Sequence, residues 1–380
     1  MSNHPEPSFR FDLREVNGAL GDIGTLLPLT IGVIALVGMS AQHVLMGFGL
    51  FYIASGLIYR LPIPVQPMKA IAAVALATEI TPDAIALSGL FMGATLLILG
   101  GSGIIDRIAR LVPQSVLSGL QLGLGLSLGW IALGLMQGQM IIGALSLGLA
   151  IAALRWGVHA ALVTILAGVA LGHVLGDPGS AYGPVSNMGG WMPQIPQFAD
   201  IRVAITDLAV PQLALTLTNA VFLTALVAND SFGGRAAHVT PRKLCITSGA
   251  ANLLLAPFGA LPMCHGAGGV TAHHRFGART GGAPIMLGFG LLILVVLPEE
   301  LRRSALSSIP AATLGALLLI ASVELAVSRR LIDAKPSCRP VIAVTAITTF
   351  FANPLAGLIA GTIAEVLRKF LLSRSIFPYR

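Results

Sequence analysis

Between two apolar runs, residues 244–258 and 283–297, the chain reads LPMCHGAGGVTAHHRFGARTG over residues 261–281. This stretch constrains the fold more than any other. Pro262 removes a backbone donor and biases its neighbours toward extended geometry, so residues 262–265 make a poor helix start. Gly266, Gly268 and Gly269 then let the backbone come close to another group. His273, His274, Arg275 and Arg279 close the stretch. Broken backbone at membrane depth must be buried in protein or line a cavity, because lipid cannot satisfy free N–H and C=O groups. The apolar flanks put it at that depth, which makes it a candidate site.

A second stretch is its partner. Residues 61–77 read LPIPVQPMKAIAAVALA, again a proline-led extended start followed by a short apolar helix. At an offset of 200, Leu61 falls on Leu261 and Pro62 on Pro262. Val112-Pro113 answers Ile309-Pro310 at 197, and Asn17 answers Asn219 at 202. Landmarks in the same order at nearly one offset predict two related halves. Paired broken segments in corresponding places point to a transporter binding site.

Composition fixes the solvent. Charged residues make up 10% of the chain and mean hydropathy is +0.85, whereas a soluble domain carries about 25% charge. The chain is therefore a polytopic membrane protein. No room remains for a soluble domain beyond short tails and one loop near 177–207. The net charge of +7 is read as topology, not nucleic-acid binding. The first ten residues lack a cleaved signal peptide's basic-then-apolar order. Cys245, Cys264 and Cys338 are too few and too scattered for a disulfide framework.

About fourteen apolar segments can be marked, near 17–38, 43–60, 62–78, 84–101, 113–135, 138–153, 157–175, 208–229, 244–258, 260–274, 283–298, 307–327, 340–351 and 354–371. The third and tenth are shorter than the roughly 20 residues a full span needs. With both termini cytoplasmic, basic residues concentrate on inside connections: 10–14, Arg60, 107–110, Arg155, 235–243, 275–279, 329–339 and 368–380. Outside connections hold only Arg202, Arg302 and Arg303, beside Asp200, Asp207, Glu299 and Glu300. This is the positive-inside pattern. An odd number of segments per half inverts the second half relative to the first. The expected halves are 1–176 and 208–380, joined by an extracytoplasmic linker, 177–207.

Few polar residues lie within the spans. Asp22, in the first segment, is expected to carry a coupling proton or to pair with Lys69, because an ionisable group in a span is expensive. The bland alternative is a helix-end carboxylate near the headgroups. Lys69 opens the third segment's half-helix; its bland alternative is a snorkelling lysine. Cys264, His265, His273 and His274 invite a metal reading. His273 would lie roughly 10 Å along the helix from His265, too far for one ion with bonds of about 2 Å, so no metal is expected. Thr218 and Asn219 fall mid-span in the eighth segment, with helix–helix hydrogen bonding as the structural alternative for Asn219. The glycines of 119–134 are expected to allow close packing.

Two half-helices with facing N-termini make an anion site, since each end offers free N–H groups and about half a positive charge. The expected contacts are backbone N–H groups of Met68, Lys69, Ala70, Gly266, Ala267 and Gly268. Side chains of Gln66, Lys69 and His265 flank the site, and Thr25 and Asn219 approach from segments 1 and 8.

Three motifs, GDIGTLLPL at 21–29, PIPVQPMKAIAAVA at 62–75 and PMCHGAGGVTAHHRFGART at 262–280, carry a resemblance to a known family. The chain resembles the molybdate transporter branch of the sulfate permease (SulP) superfamily over almost its whole length. The resemblance implies an all-α polytopic fold shared with uracil permease-like carriers. That fold is a seven-plus-seven inverted repeat with two half-helices preceded by short strands. Segments 1–4 and 8–11 would form a core, and 5–7 and 12–14 a gate. It also implies a secondary transporter, not an enzyme, importing molybdate or a related tetrahedral oxyanion across the plasma (inner) membrane. Protons are the candidate coupling ion and a second copy the candidate partner; no cofactor and no STAS domain are expected.

Other readings stay open on residues alone. A carrier of sulfate, tungstate or a nucleobase could use the same fold. Asn219 and His265, at positions where nucleobase carriers use carboxylates, disfavour the base. An intramembrane metal-binding enzyme and a passive anion channel complete the set.

Overall fold

The computed structural model describes residues 8–105, 113–175 and 196–374. Helix α1 (Leu13–Gly32) starts on Asp12, whose carboxylate accepts the N–H groups of Arg14 and Glu15. Helix α2 (Ala41–Tyr59) leads into strand β1 (Gln66–Pro67) and half-helix α3 (Lys69–Ala77). Thr81 caps α4 (Pro82–Ser102), with proline at the helix start, where its missing N–H costs nothing. Helices α5 (Gln114–Gln137), α6 (Met140–Trp156) and α7 (Ala160–Val174) complete the first half.

The second half opens with α8, one long helical run over Phe198–Ala236, π-helical over Thr216–Leu223. It continues through α9 (Pro241–Leu255), β2 (Met263–Cys264), α10 (Ala267–Arg275) and α11 (Gly282–Val296). The short polar helix α12 (Glu299–Ser307) precedes α13 (Ala311–Ala326), α14 (Arg329–Ile332), α15 (Arg339–Phe351) and α16 (Pro354–Arg374). Helices α2, α4, α5 and α8 are each long and apolar enough to cross a membrane unaided. Helix α8 begins inside the stretch expected as linker. Asp200, Arg202 and Asp207 disguise its first turns, and Asp200 accepts a 2.5 Å hydrogen bond from Thr81 that ties them to α4.

Packing obeys the repeat. Helix α2 lies along α11 and α4 along α9; α5 lies along α13 and α15, and α6 along α13. Match α1–α7 in order with α8–α11, α13, α15 and α16, and these partners exchange. The α2–α11 pair becomes α9–α4, α5–α15 becomes α13–α6, and α5–α13 maps onto itself. A two-fold axis in the membrane plane does this. The same device recurs at equivalent crossings. A Cβ at Gly288 would sit 2.6 Å from the Gly49 carbonyl oxygen, and one at Gly249 would sit 2.9 Å from that of Gly93. Only small residues let backbones approach so closely. On α5, Cβ atoms at Gly119 and Gly123 would lie 2.5 Å from the Cβ atoms of Thr345 and Thr349, the close packing its composition predicts.

At the centre, β1 and β2 pair antiparallel, with Gln66 opposite Cys264 and Pro67 opposite Met263. Each strand leads into a half-helix of 9 residues, about 13 Å long against a hydrocarbon core of about 30 Å. The strands join the halves in mid-fold and bring both half-helix N-termini to one cavity.

Candidate oxyanion site

The cavity has a volume of about 200 Å³. The first half contributes Gln66, Pro67 and Lys69, with Gln121 from α5. From the second half come Gln212, Thr216 and Asn219 of α8, residues 264–268, and Glu324, Leu325 and Ser328 at the end of α13. Lys69 stands in the first turn of α3, where its ammonium adds to the partial positive charge of the helix end.

The two half-helix ends are not equivalent. The N-terminus of α10 has no side-chain cap, and Gly266, Ala267 and Gly268 all line the cavity. A Cβ built at Gly268 meets nothing within 4 Å, so that position faces open space. At Gly266 a Cβ would overlap the Gln66 carboxamide, and at Gly269 it would lie 2.5 Å from Asp22 Oδ1 and 2.6 Å from Gln66 Nε2. Three glycines thus serve two purposes: Gly266 and Gly269 admit side chains from the other half, and Gly268 leaves the amides bare.

The α3 end is already occupied. Gln212 Oε1 accepts the Ala70 N–H at 2.8 Å and the Ile71 N–H at 3.4 Å, while its Nε2 donates to Thr216. The Met68 N–H donates to the Pro262 carbonyl at 2.9 Å. The expected substrate contacts through the Met68 and Ala70 amides are therefore corrected. Both residues are fully buried, and one amide serves the strand junction while the other receives a cap from α8.

His265 needs a similar correction. Its Nδ1 donates to the Pro64 carbonyl at 2.8 Å, and its Nε2 lies 2.9 Å from Thr247 Oγ1, which also bonds Tyr59 OH. With both ring nitrogens engaged, the side chain pins the approach to β1 against α9 and offers the cavity only its ring surface. His273 turns the other way, donating from Nδ1 to the Gly18 carbonyl.

Asp22 does not pair with Lys69. It is fully buried, accepts from Tyr52 OH and, at 2.8 Å, from Gln66 Nε2, and lies 3.7 Å from His273 Nε2. The carboxylate that shares the cavity lining with Lys69 is Glu324. Asp22 connects to the cavity lining through Gln66, whose amide it orients. Asn219 lines the cavity, and its side-chain oxygen accepts from Arg330 Nη1 at 2.8 Å. Thr218 instead bonds the Ala214 carbonyl. Thr25 belongs to α1, and its side chain lies outside the described residues.

Sequence reasoning passed over Gln121, Gln212 and Glu324. Glu324 interrupts LLLIASVELA, and the rule that flagged Asp22, an ionisable group in an apolar span, applies to it equally. Gln212 sits at the foot of its apolar run and carries no charge to draw the eye.

Comparison with known proteins gives a consistent picture. The profile of the family described as "Molybdate transporter of MFS superfamily" matches residues 14–128 and 204–325, which take in almost every residue lining the cavity. "Molybdate transporter 1" of Arabidopsis thaliana is 30% identical over 94% of this chain and 88% of its own length. "Molybdate transporter 2" of the same plant is 29% identical over 93% and 87%. Among solved structures, the transmembrane domain of the cyanobacterial bicarbonate transporter BicA superposes with a TM-score of 0.68 at 17% identity, covering 92% of this chain and 97% of that one. Murine Slc26a9, an anion transporter in the inward-facing state, gives 0.72 at 13%, covering 98% and 70%. These two share the fold.

Proposed function

The chain belongs to the molybdate transporter family, and from that premise we propose that it imports molybdate as a secondary transporter, holding the anion between Lys69 and the uncapped N-terminus of α10. The observation that carries this reading is the convergence of a full positive charge and bare helix-end amides on one cavity of about 200 Å³. A tetrahedral oxyanion accepts many hydrogen bonds and needs no aromatic slot. Amides of 266–268, the Lys69 ammonium and the Gln121 amide supply donors from several directions, with Gln66 flanking them.

Helices α1–α4 and α8–α11 form the core in this proposal, and α5–α7 with α13–α16 form the gate. The cavity lies on their boundary, since Gln121, Glu324 and Ser328 come from the gate and its other polar lining from the core. Rocking one group against the other would expose the anion to each side in turn. The bias of Lys and Arg toward one set of connections supports cytoplasmic termini and import across the plasma (inner) membrane. Protons are the proposed coupling ion, and pairing of two copies is the proposed assembly.

Uptake of labelled molybdate into proteoliposomes tests the function. Concentrative uptake driven by an imposed pH gradient, and reduced by unlabelled molybdate, tungstate or sulfate, is the expected result. Equilibration without accumulation under every gradient would make the protein a channel.

A further inference from the structure

Lys69 and Glu324 meet twice. Both line the main cavity, and both line a smaller one of about 10 Å³ closed by Leu29, Leu128, Ala321 and Leu325. Lys69 belongs to α3 and Glu324 to α13, so they approach across the boundary between the two helix groups. Both side chains face that shared space, yet no hydrogen bond or ion pair joins them among the described residues. Space therefore separates them, and the anion's proposed position adjoins it.

The charges around that space are few. Helix α13 carries no other ionisable residue, and α5, packed along it, carries none. Of the other helices packed on α13, α1 holds Arg14, Glu15 and Asp22, α6 holds Arg155 and α7 holds His173; none of them lines either cavity. Cys264 and His265 share the main cavity with Lys69, but the His265 ring is fixed between Pro64 and Thr247. Arg330, just beyond α13, is held by Asn219. An ionised Glu324 thus offsets the full positive charge that Lys69 brings to the cavity. A dianion entering beside that carboxylate meets repulsion that only one local change removes, the arrival of a proton on Glu324.

Resting on the carrier function above, we infer that Glu324 is the proton-coupling residue: it takes up a proton from water as the oxyanion loads and returns it when the anion leaves. The proton bonds to a carboxylate oxygen, and the resulting O–H becomes one more donor to an anion oxygen. Glu324 is exposed to the cavity, so its proton comes from the same aqueous opening that admits the substrate. Anion and proton then load together and cross together. Asp22, sealed behind Gln66 with Tyr52 and His273, has no such access.

The test begins with the intact wild-type protein in weakly buffered detergent solution near neutral pH, with a pH-indicating dye and added molybdate. Proton uptake approaching one per anion bound is expected, with affinity falling by up to roughly tenfold per pH unit on the alkaline side. Glu324→Gln, which mimics the protonated acid, should bind molybdate with no proton uptake and no pH dependence. In proteoliposomes its exchange of labelled for unlabelled molybdate should persist, while a pH gradient no longer drives accumulation. Wild-type binding without proton uptake overturns the inference whether or not the variant folds. Proton uptake that survives in Glu324→Gln overturns it too. A wild-type protein that neither binds nor exchanges molybdate refutes the carrier function itself, so the two failures are distinct.

Discussion

Arg330 donates through Nη1 to the side-chain oxygen of Asn219 over 2.8 Å. The bond joins the short helix after α13 to the π-helical part of α8, beside the cavity that Asn219 and Ser328 line. In the proposed division it bridges gate and core, so it must break whenever the two groups move apart.

Weakening that bond should loosen the cavity on the side where the basic connections cluster. Arg330→Gln removes the charge from a charge-assisted hydrogen bond of about 1.5–3 kcal/mol. A cysteine placed at Ser328 should then react severalfold faster with a membrane-impermeant thiol reagent applied from the cytoplasmic side. Equal labelling rates with and without Arg330→Gln would mean that the contact does not restrain the gate.

Much of this architecture is legible in the chain, because its strongest signals are backbone signals. Pro62 and Pro262 each bias the residue before them toward extended geometry, and the offset of 200 pairs those places; the strands β1 and β2 meet just after them. Side-chain partners are another matter. The repeat suggests symmetric half-helix ends, but Gln212 caps only α3, and nothing local in PQLAL announces a cap for a helix 142 residues away. The Asp22–Lys69 pairing failed for a similar reason. Depth in a span says that a carboxylate needs partners, whereas Tyr52 and Gln66 became those partners through packing of α1, α2 and β1. Glu324 is legible by the same rule that marks Asp22, an ionisable group within an apolar run.

Lys69 should hold the anion by charge. Lys69→Met keeps much of the apolar stem and removes the ammonium, so affinity for molybdate should fall by about 1–3 kcal/mol, roughly 5- to 150-fold. Calorimetric titration of the folded variant measures this. Unchanged affinity would move the anion away from α3, toward the amides of α10 alone.

Gln212 is predicted to act on stability as well as transport. Its Oε1 satisfies the Ala70 N–H inside the protein, where Ala70 is fully buried. Gln212→Leu leaves that donor without an acceptor and should cost about 1–3 kcal/mol, seen as a lower unfolding temperature. Gln212→Glu keeps an acceptor oxygen for the amide but places a carboxylate on the cavity wall. It should therefore keep more of the stability than Gln212→Leu and still lose molybdate affinity. Equal stability for wild type and Gln212→Leu would show that the α3 end needs no cap.

Two neighbouring glycines separate the binding function of α10 from its folding role. A side chain at Gly268 points into open cavity, with no atom within 4 Å of its Cβ. Gly268→Val therefore leaves the packing intact while its branched carbons cover the bare amides and displace the anion. The variant should reach the membrane in normal amount, elute as a single species and bind molybdate at least tenfold more weakly, a loss of about 1.4 kcal/mol. A side chain at Gly269 has no such space. Its Cβ would lie 2.6 Å from Pro64 Cβ and 2.5 Å from Asp22 Oδ1, and neither the rigid ring nor the hydrogen-bonded carboxylate can yield cheaply. Gly269→Val should therefore lose folded protein before any question of binding arises, since overpacking here breaks the junction between the halves. Size-exclusion profiles and molybdate titration of the two variants decide the matter together. If Gly268→Val binds like wild type, the anion does not sit at the α10 amides; if Gly269→Val folds like wild type, the halves do not meet as closely as β1 and β2 imply.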